Sequence, residues 1–397
     1  MREGTLATLM LNQNCETDAG IDTVPLADER AFGLWQKDIP TEYRGLDARA
    51  LTKRIGAARA ELGTRAIVLG HHYQREDIIA FADFRGDSFK LSQWAAEQTI
   101  ADYIIFCGVH FMAEAADILR APHQKVILPN MAAGCSMADM AAPDDLFSAW
   151  DELTEAGIDD IIPVTYMNSA ASLKAFCGRN GGIVCTSTNA RGVMAWAFER
   201  GKRVFFFPDQ HLGRNTGVRM GIGLEEMAVW DYKRPYGDLG GNPLEHLERS
   251  RLLLWKGHCS VHARFTVQQI EQARAQFPDV QVVVHPECRL DVVEAADCDG
   301  STEFIARTIA EAPAGSTWAV GTEINLVHRL AVENPDKTVF CLDPVVCPCA
   351  TMYRVHPAYL AWVLESLVRG EVVNQVVVDD QTKRDAKVAL ERMLAVR

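Results

Sequence analysis

Residues 337–352 read KTVFCLDPVVCPCATM and join a short apolar run to a turn that carries two cysteines around a proline. The run 338–342 is typical of a buried strand, and the proline stiffens the turn after it. A thiol at the end of a strand, on a rigid turn, is well placed to bind a ligand. Taken alone, however, Cys347 and Cys349 are also typical of inert packing thiols, because no CxxC pair completes a metal site beside them.

The combination of strand, turn and cysteine occurs twice earlier in the chain, which indicates an internal repeat. From a helix predicted over 46–62 onwards, short apolar runs alternate with amphipathic helical stretches, the pattern of α/β units with parallel sheets. Nine strands are predicted in three groups: 66–69, 103–106 and 125–128; 160–163, 183–185 and 203–207; and 281–284, 317–320 and 338–342. We therefore predict an α/β fold of three homologous Rossmann-like, three-layer αβα domains with parallel sheets around a pseudo-threefold axis.

Each group carries three kinds of residue at corresponding places. A ring-bearing residue follows or ends the opening strand: His71, Tyr166 and His285. A serine then precedes a helix and is predicted to cap it: Ser88, Ser187 and Ser301, the last followed by Thr302. A loop cysteine closes the group: Cys135, Cys259 and Cys349.

The spacing of these residues locates an insertion in the second group. The interval from ring to cysteine is 64 residues in the first group (135 − 71) and in the third (349 − 285), but 93 in the second (259 − 166). The excess of 29 residues (93 − 64) falls in the Gly-rich, charged segment 213–242, which is predicted to be a surface excursion or mobile flap. The predicted organisation is an N-terminal extension (1–45), a first α/β domain (46–143), a second with the insertion (144–265), and a third with the C-terminal helices (266–397).

The composition excludes several classes of protein. The chain has 397 residues, 48% of them hydrophobic, and a formal net charge of −13, so it can bury a large core but does not attract nucleic acid or an anionic membrane surface. No apolar run approaches the roughly 20 residues that cross a bilayer, and the N-terminus lacks the pattern of a signal peptide. We predict a cytoplasmic protein whose eleven cysteines, an odd number, form no disulfides and some of which bind a metal.

Three thiolates that meet at the carboxyl ends of the strands would leave one corner of a tetrahedral site open. A structural zinc ion is normally closed by a fourth protein ligand, whereas three thiolates on a four-iron cluster leave one iron able to act as a Lewis acid. The three cysteines therefore favour an iron–sulfur cluster. The alternative is that the repeat reflects duplication alone and that the cysteines only pack.

The other repeated residues favour a small anionic substrate. Serines at helix N-termini lie beside backbone N–H groups that bind carboxylates or phosphate, although each serine taken singly fits an ordinary helix cap. His71 and His285 are candidates to hold a carboxylate or move a proton, and Glu287 is a candidate general base. Tyr73 and Tyr166 are candidate hydrogen-bond donors to a developing oxyanion. A structural role is the alternative for each of these side chains.

A series of motifs between residues 66 and 355 points to a family. In chain order they are GHHYQ, RGDSF, FCGVHFMAE, GCSMAD, TYMNS, CTSTNA, FPDQHLG, GHCSVH, HPE, DGST and CPC. Together they resemble the quinolinate synthase A family, the iron–sulfur enzymes of NAD biosynthesis. The resemblance implies condensation of iminoaspartate with dihydroxyacetone phosphate to quinolinate, phosphate and water, and a functional link to L-aspartate oxidase.

The resemblance also implies roles for individual residues. It implies one 4Fe-4S cluster per chain with three cysteine ligands: Cys135, Cys259 and one cysteine of the CPC motif. It assigns Glu287, Tyr73 and His285 to catalysis. The substrate contacts that it implies are His71, Ser88, Tyr166, Met167, Asn168, Ser187, His285, Pro286, Glu287, Ser301 and Thr302.

Members of the family differ in which cysteine is the third cluster ligand. Shorter relatives have a single cysteine before the proline, which corresponds to Cys347, whereas longer forms resembling this chain use the second cysteine of CPC. The 64-residue interval shared with the first group also selects Cys349. Cys107, inside FCGVHFMAE, stands in a strand before a helix and is interpreted as a core thiol.

Two other functions are compatible with these residues. A zinc-dependent lyase or aldolase on the same scaffold would also use metal-bound thiolates. A cluster-binding redox sensor without catalytic activity would explain the cysteines but not the three serines.

Overall fold

The structure is a computed structural model that describes residues 24–29, 36, 38–345 and 348–396. The predicted extension 1–45 is therefore described only in part. Two of the cysteines, Cys15 and Cys347, lie outside the described residues.

The described residues form fourteen strands and sixteen α-helices, numbered here in chain order. The strands are β1 Ala66–His71, β2 Phe84–Gly86, β3 Tyr103–Cys107, β4 Lys125–Ile127, β5 Ile161–Tyr166, β6 Ile183–Cys185, β7 Arg203–Phe207, β8 Met227–Trp230, β9 Leu252–Trp255, β10 Gln281–Val284, β11 Cys298–Asp299, β12 Thr317–Gly321, β13 Thr338–Cys341 and β14 Gln375–Val376. The helices are α1 Thr41–Arg44, α2 Ala48–Leu62, α3 Glu76–Ile79, α4 Ser88–Glu97, α5 His110–Leu119, α6 Pro143–Glu155, α7 Ala171–Arg179, α8 Ala190–Phe198, α9 Gln210–Arg219, α10 Leu244–Arg249, α11 Val267–Gln276, α12 Leu290–Ala295, α13 Thr302–Glu311, α14 Ile324–Glu333, α15 Pro357–Val368 and α16 Asp380–Ala395.

The strands form three sheets that share one plan. Their strand orders are β14-β4-β3-β1-β2, β6-β5-β7-β9-β8 and β11-β10-β12-β13. In each sheet the opening strand (β1, β5 or β10) lies between a short second strand and the third strand of its group. This is a doubly wound order, in which a crevice forms where the strand order reverses, at the carboxyl end of the opening strand. The α/β class is confirmed, whereas the pseudo-threefold axis stays a prediction.

The sheets are parallel apart from one edge, where β14 runs antiparallel to β4. Parallel strands are covered on both faces by helices, so they read as continuous apolar runs rather than alternating ones. The clearest case is β9, in which all four residues, Leu-Leu-Leu-Trp, are buried. All nine predicted strands are confirmed, and β2, β8, β9, β11 and β14 were not predicted.

The prediction that 213–242 is a surface excursion or mobile flap is wrong for its first half. Residues 213–219 belong to α9, and β8 pairs in parallel with β9 at the edge of the second sheet. In the first and third groups, one helix connects the third strand to the fourth. In the second group, β8 and α10 are inserted between that helix and β9. This additional strand–helix unit accounts for the longer interval between ring and cysteine.

Contacts along the chain define two compact units, each described by itself. Of the described residues, unit 1 comprises those up to 134, those in 268–283 and those in 302–377, and unit 2 comprises those in 135–267, in 284–301 and from 378 onwards. In unit 1, Arg54 of α2 donates to both carboxylate oxygens of Glu365 of α15 (2.7 and 2.5 Å). In unit 2, the C-terminal helix α16 packs on α7. The predicted boundaries of three domains remain a prediction.

The close approach of α16 to α7 depends on a glycine. A Cβ atom at Gly178 would lie 1.9 Å from the carbonyl oxygen of Asp385, so any larger residue must push the helices apart. We expect Gly178→Ala to lower the free energy of unfolding by about 1–3 kcal/mol, the usual cost of overpacking. The matched control is Gly56→Ala on the exposed face of α2, where a Cβ meets nothing within 4 Å. It should stabilise by about 0.5–1 kcal/mol, and urea unfolding of both variants measures the difference.

Candidate active site

The two histidines at the ends of opening strands have the same local geometry. His71 ends β1 and is 4% exposed, and His285 follows β10 and is 2% exposed. In each case the backbone N–H two residues later donates to the ring Nδ1: Tyr73 to His71 at 3.1 Å, and Glu287 to His285 at 3.3 Å. Because Nδ1 accepts, the neutral ring carries its proton on Nε2, where it can be donated to an anionic group.

Glu287 is the centre of a buried acid–base cluster in unit 2. Its Oε1 accepts a hydrogen bond from the hydroxyl of Tyr166 (2.6 Å), and its Oε2 lies 2.8 Å from Nδ1 of His262. The ring of His262 stacks on His285 at 4.4 Å between centroids and an interplanar angle of 15°. All four side chains are at most 4% exposed, so these contacts are made out of water. The two predicted residues Tyr166 and Glu287 are thus brought into direct contact.

The electrostatics of this cluster hold Glu287 as an anion. Burial by itself raises the pKa of Glu287, but His262, His285 and the hydrogen bonds from His262 and Tyr166 outweigh it and lower the pKa to about 2. Burial, followed by the neighbouring His262, lowers the pKa of His285 to about 3, which keeps that ring neutral near pH 7. A carboxylate with a depressed pKa is a weak base. Glu287 is therefore best suited to move protons through the side chains that donate hydrogen bonds to it.

Asp209 is a second buried carboxyl group in unit 2. It is the N-cap of α9, and its Oδ1 accepts from the backbone N–H groups of His211 (2.6 Å) and Leu212 (3.0 Å). Its Oδ2 is buried, and the carboxyl group also interacts with the backbone N–H of Cys259. Burial and the negative charge of Glu287 raise its pKa well above the usual value. Two buried acids of unit 2 therefore have pKa values displaced in opposite directions, a feature of acid–base sites.

Two of the predicted substrate contacts have buried polar atoms without a partner among the described residues. They are Oδ1 of Asn168 in unit 2 and Oγ1 of Thr302 in unit 1. Buried polar atoms are nearly always hydrogen-bonded, so each such atom in a native fold needs an explanation. A substrate bound at each position would supply the missing partner.

The predicted helix caps are wrong for two of the three serines. Asp87 is the N-cap of α4, where its side chain accepts from the N–H of Lys90 (2.9 Å), and Ser88 is the first residue of the helix. Asn189 is the N-cap of α8, two residues beyond Ser187. Ser301 directly precedes α13. Each serine nevertheless follows the short second strand of its group and lies at or just before the start of a helix.

The three predicted cluster ligands begin identical backbone turns. The carbonyl of each cysteine accepts from the N–H four residues later: Cys135 from Asp139 (3.0 Å), Cys259 from Ala263 (3.0 Å) and Cys349 from Tyr353 (2.9 Å). A short 3-10 turn then covers the third to fifth residues after each cysteine: Ala138–Met140, His262–Arg264 and Met352–Arg354. The repeat therefore extends through the cysteines, and Cys349 occupies the same place as the other two.

The cysteines differ in burial. The three at these turns are half-buried thiols, whereas Cys107 is fully buried in β3. Burial raises the pKa of Cys107 to about 12, so it is a protonated core thiol, as predicted. The described residues contain one compact set of potential metal ligands, Cys259, His262 and Glu287, whose ligand atoms lie within 4.8 Å of one another. Two of the three ligand atoms are close because His262 and Glu287 share a hydrogen bond.

Doubly wound α/β sheets with a buried cluster of acidic and basic side chains at the end of an opening strand are typical of α/β enzymes that act on small molecules. Comparison with known proteins identifies the family within this class. The family model described as "Quinolinate synthetase A protein" matches residues 53–395.

Three relatives carry the name quinolinate synthase. The protein from Corynebacterium glutamicum is 58% identical over 362 residues, which cover 91% of each chain. Those from Rhodopirellula baltica and a Geobacillus species are 53% and 51% identical and cover 89% and 90% of this chain, and 93% and 97% of their own. The chain belongs to the quinolinate synthetase A family. Membership of this family is consistent with a metal cofactor.

Sequence reasoning missed His262 and Asp209. Both stand in quoted motifs, GHCSVH and FPDQHLG, but neither repeats in all three groups. His262 lies three residues after Cys259, within the turn that the cysteine begins, and this spacing was the available signal. None of the helices among the described residues is long and apolar enough to cross a membrane.

Proposed function

We propose that this chain condenses iminoaspartate with dihydroxyacetone phosphate to form quinolinate, phosphate and water in NAD biosynthesis. The observation that carries the proposal is the buried Tyr166–Glu287–His262 cluster, found in a chain that belongs to the quinolinate synthetase A family. A condensation followed by loss of water needs groups that give and take protons out of bulk solvent. This cluster offers a carboxylate, a phenol and an imidazole in direct contact.

We propose that Cys135, Cys259 and Cys349 hold one 4Fe-4S cluster. Their shared backbone turn and half-buried thiols support the assignment, since sulfur donors in equivalent places suit a cluster built from iron and sulfide. Held by these three thiolates, such a cluster would supply Lewis-acid chemistry and would not need to change its redox state. The assignment selects Cys349 over Cys347.

Substrate binding is assigned to groups that present donors to anions. His71 and His285 offer Nε2–H, and the Thr302 hydroxyl can donate as well. Oδ1 of Asn168 can instead accept from an N–H or O–H group of the substrate, and neither it nor the Thr302 hydroxyl has a partner among the described residues. Ser88, Ser187, Ser301 and the N–H groups at the helix starts bind carboxylates or phosphate. The buried Met167 and Pro286 contribute their apolar surfaces beside Asn168 and Glu287.

Proton movement is assigned to the groups around Glu287 and Tyr73. Since both oxygens of Glu287 already accept hydrogen bonds, we propose that it takes protons through Tyr166 or His262. Tyr73 lies at the first opening strand, with its hydroxyl 2.7 Å from Oγ1 of Thr322. That contact orients the phenol toward a defined position, as a proton donor requires.

The zinc-dependent lyase is favoured by one observation, the cysteine, histidine and carboxylate set of Cys259, His262 and Glu287. Anaerobic purification separates the two functions. A brown protein with about four iron and four sulfide per chain that makes quinolinate, with imine supplied by L-aspartate oxidase, supports the proposal. A colourless protein that contains zinc and makes no quinolinate contradicts it. A brown protein without activity is the result expected of the redox sensor.

Oxygen should inactivate the enzyme, because an iron without a protein thiolate is open to oxidants as well as to substrate. We expect activity and the visible iron–sulfur absorption to fall together on exposure to air. Both should return after anaerobic reconstitution with iron and sulfide. Full activity after prolonged aeration and chelation would contradict the proposed cofactor. We further propose that the enzyme works in the cytoplasm, where reductants protect such a cluster.

A further inference from the structure

Glu323 is a fully buried carboxylate that contacts the turn of Cys349 in unit 1. It follows β12 and is the N-cap of α14. Its Oε2 accepts from the N–H of Asn325 (2.8 Å), and its Oε1 accepts from the Asn325 side-chain amide (2.9 Å) and from the N–H of Cys349 (3.1 Å). One side chain thus ties the start of a helix to the backbone of a proposed cluster ligand.

The same position recurs in the other two groups. Two residues after the third strand, the N-cap is Val109 in the first group, Asp209 in the second and Glu323 in the third. In the first two groups the first helical residue donates its N–H to the carbonyl two residues before the cysteine: His110 to Ala133 at 2.8 Å and Gln210 to Gly257 at 3.0 Å. The start of this helix therefore holds the cysteine turn, and Glu323 adds a side-chain contact to that junction.

The residues on either side of Glu323 hold Tyr73. Oγ1 of Thr322 lies 2.7 Å from the Tyr73 hydroxyl, and the side-chain amide of Asn325 donates to the Tyr73 carbonyl at 3.4 Å. Asn325 also orients the carboxylate of Glu323. Segment 322–325 is thus a single anchor for a proposed cluster ligand and for a tyrosine proposed to act in catalysis.

We propose that Glu323 is a positioning residue for Cys349: it fixes the backbone of the cysteine turn and so sets the thiol for the cluster. The inference rests on the proposed function, because it gives Cys349 a ligand role. Residues that orient a metal ligand through hydrogen bonds are typically worth 10- to 100-fold in metal affinity. Glu323→Ala leaves the Cys349 N–H without its acceptor in a buried place, so the turn must move to find another.

The test has two readouts, one of which needs no cluster. In apo protein, the alkylation rate of Cys349 by iodoacetamide, read by peptide mass spectrometry, should rise in Glu323→Ala because the turn is looser. In reconstituted protein, iron should pass to a chelator about 10-fold faster than from the wild type. Glu323→Gln should fall between, because its amide oxygen still accepts N–H groups, whereas the NH2 group that replaces the other carboxylate oxygen accepts none.

Glu333→Gln is the matched control, since Glu333 lies on the same helix, is exposed and pairs with Arg85 at the surface. It should match the wild type in both readouts. Wild-type rates of alkylation and of iron loss in Glu323→Ala would overturn the inference, as would wild-type rates in Glu323→Gln if the alanine variant does not fold. If the wild type itself takes up no iron, the proposed function fails, while the alkylation rates still decide whether Glu323 fixes the turn.

Discussion

Serine at Cys135, Cys259 or Cys349 is expected to remove most of the bound iron and all quinolinate formation. A serine hydroxyl is a harder and far less acidic ligand than a thiol, so it does not replace a thiolate on an iron–sulfur cluster. Each variant keeps the size of the side chain, and the fold should survive. Iron, sulfide and turnover are measured on anaerobically reconstituted protein.

Two further variants make this prediction specific. Cys107→Ser should keep its iron and its activity, because Cys107 is a fully buried thiol of β3 and not a ligand. Cys347→Ser should also keep its cluster. If instead Cys349→Ser retained a full cluster and Cys347→Ser lost it, the assignment within the CPC motif would be wrong.

Glu287→Gln is expected to lower kcat by about 10²-fold or more while the iron content stays unchanged, which is the usual contribution of a group that moves protons in the transition state. Glutamine keeps the shape of the side chain and can still accept from Tyr166. It carries no charge and cannot take a proton. Binding of a quinolinate-like product analogue should change little, since that interaction does not depend on proton transfer.

His285→Ala separates binding from chemistry in the same loop. Loss of its Nε2–H should weaken substrate binding as well as turnover, so KM should rise and kcat should fall. Anaerobic steady-state kinetics on both variants decide the assignment. A near-normal kcat in Glu287→Gln would remove Glu287 from the mechanism and leave it as a structural partner of Tyr166 and His262.

The depressed pKa of Glu287 also predicts the pH dependence of stability. Folding lowers this pKa from 4.5 to about 2, so ionised Glu287 contributes stability that is fully present above about pH 4.5 and is lost as the pH falls toward 2. Glu287→Gln should therefore have a flatter dependence of Tm on pH in this window than the wild type. Thermal unfolding between pH 2 and about 5 measures the difference.

Much of the fold could be predicted because the central strands of parallel sheets are long apolar runs. Four of the five strands that escaped prediction have physical reasons for doing so, whereas β9, a fully buried apolar run, could have been predicted. β2, β11 and β14 have only two or three residues and lie at sheet edges, so they carry no measurable pattern. β8 is flanked by glycines and charged residues, which are typical of a loop. It is buried because it pairs with β9, and the sequence around β8 does not reveal that pairing.

The candidate site was predictable where the repeat supplied the signal. The places of His71, His285 and the cysteines followed from matching intervals, and their matching backbone geometry agrees with that reasoning. The serine caps failed for two different reasons: Asp87 caps α4 with its own side chain, whereas α8 begins after Asn189, whose side chain bonds to Thr186 and caps no helix. The contact of Glu287 with His262 joins residues 25 apart in sequence across a buried space, and spacing alone does not reveal it.

The strand–helix unit that lengthens the second group contains a loop into which a label can be inserted. Loop 231–243 connects β8 to α10 within this unit, and its Tyr236 is 56% exposed and donates a hydrogen bond to Glu155 (2.8 Å). The Cys259 turn keeps the backbone geometry of its two counterparts in spite of the added length. A short peptide tag or a spectroscopic probe inserted near Tyr236 should therefore leave the thiols undisturbed. Such a tag would allow the protein to be immobilised on a surface, so that the expected loss and recovery of the proposed cluster can be followed through many cycles of reconstitution.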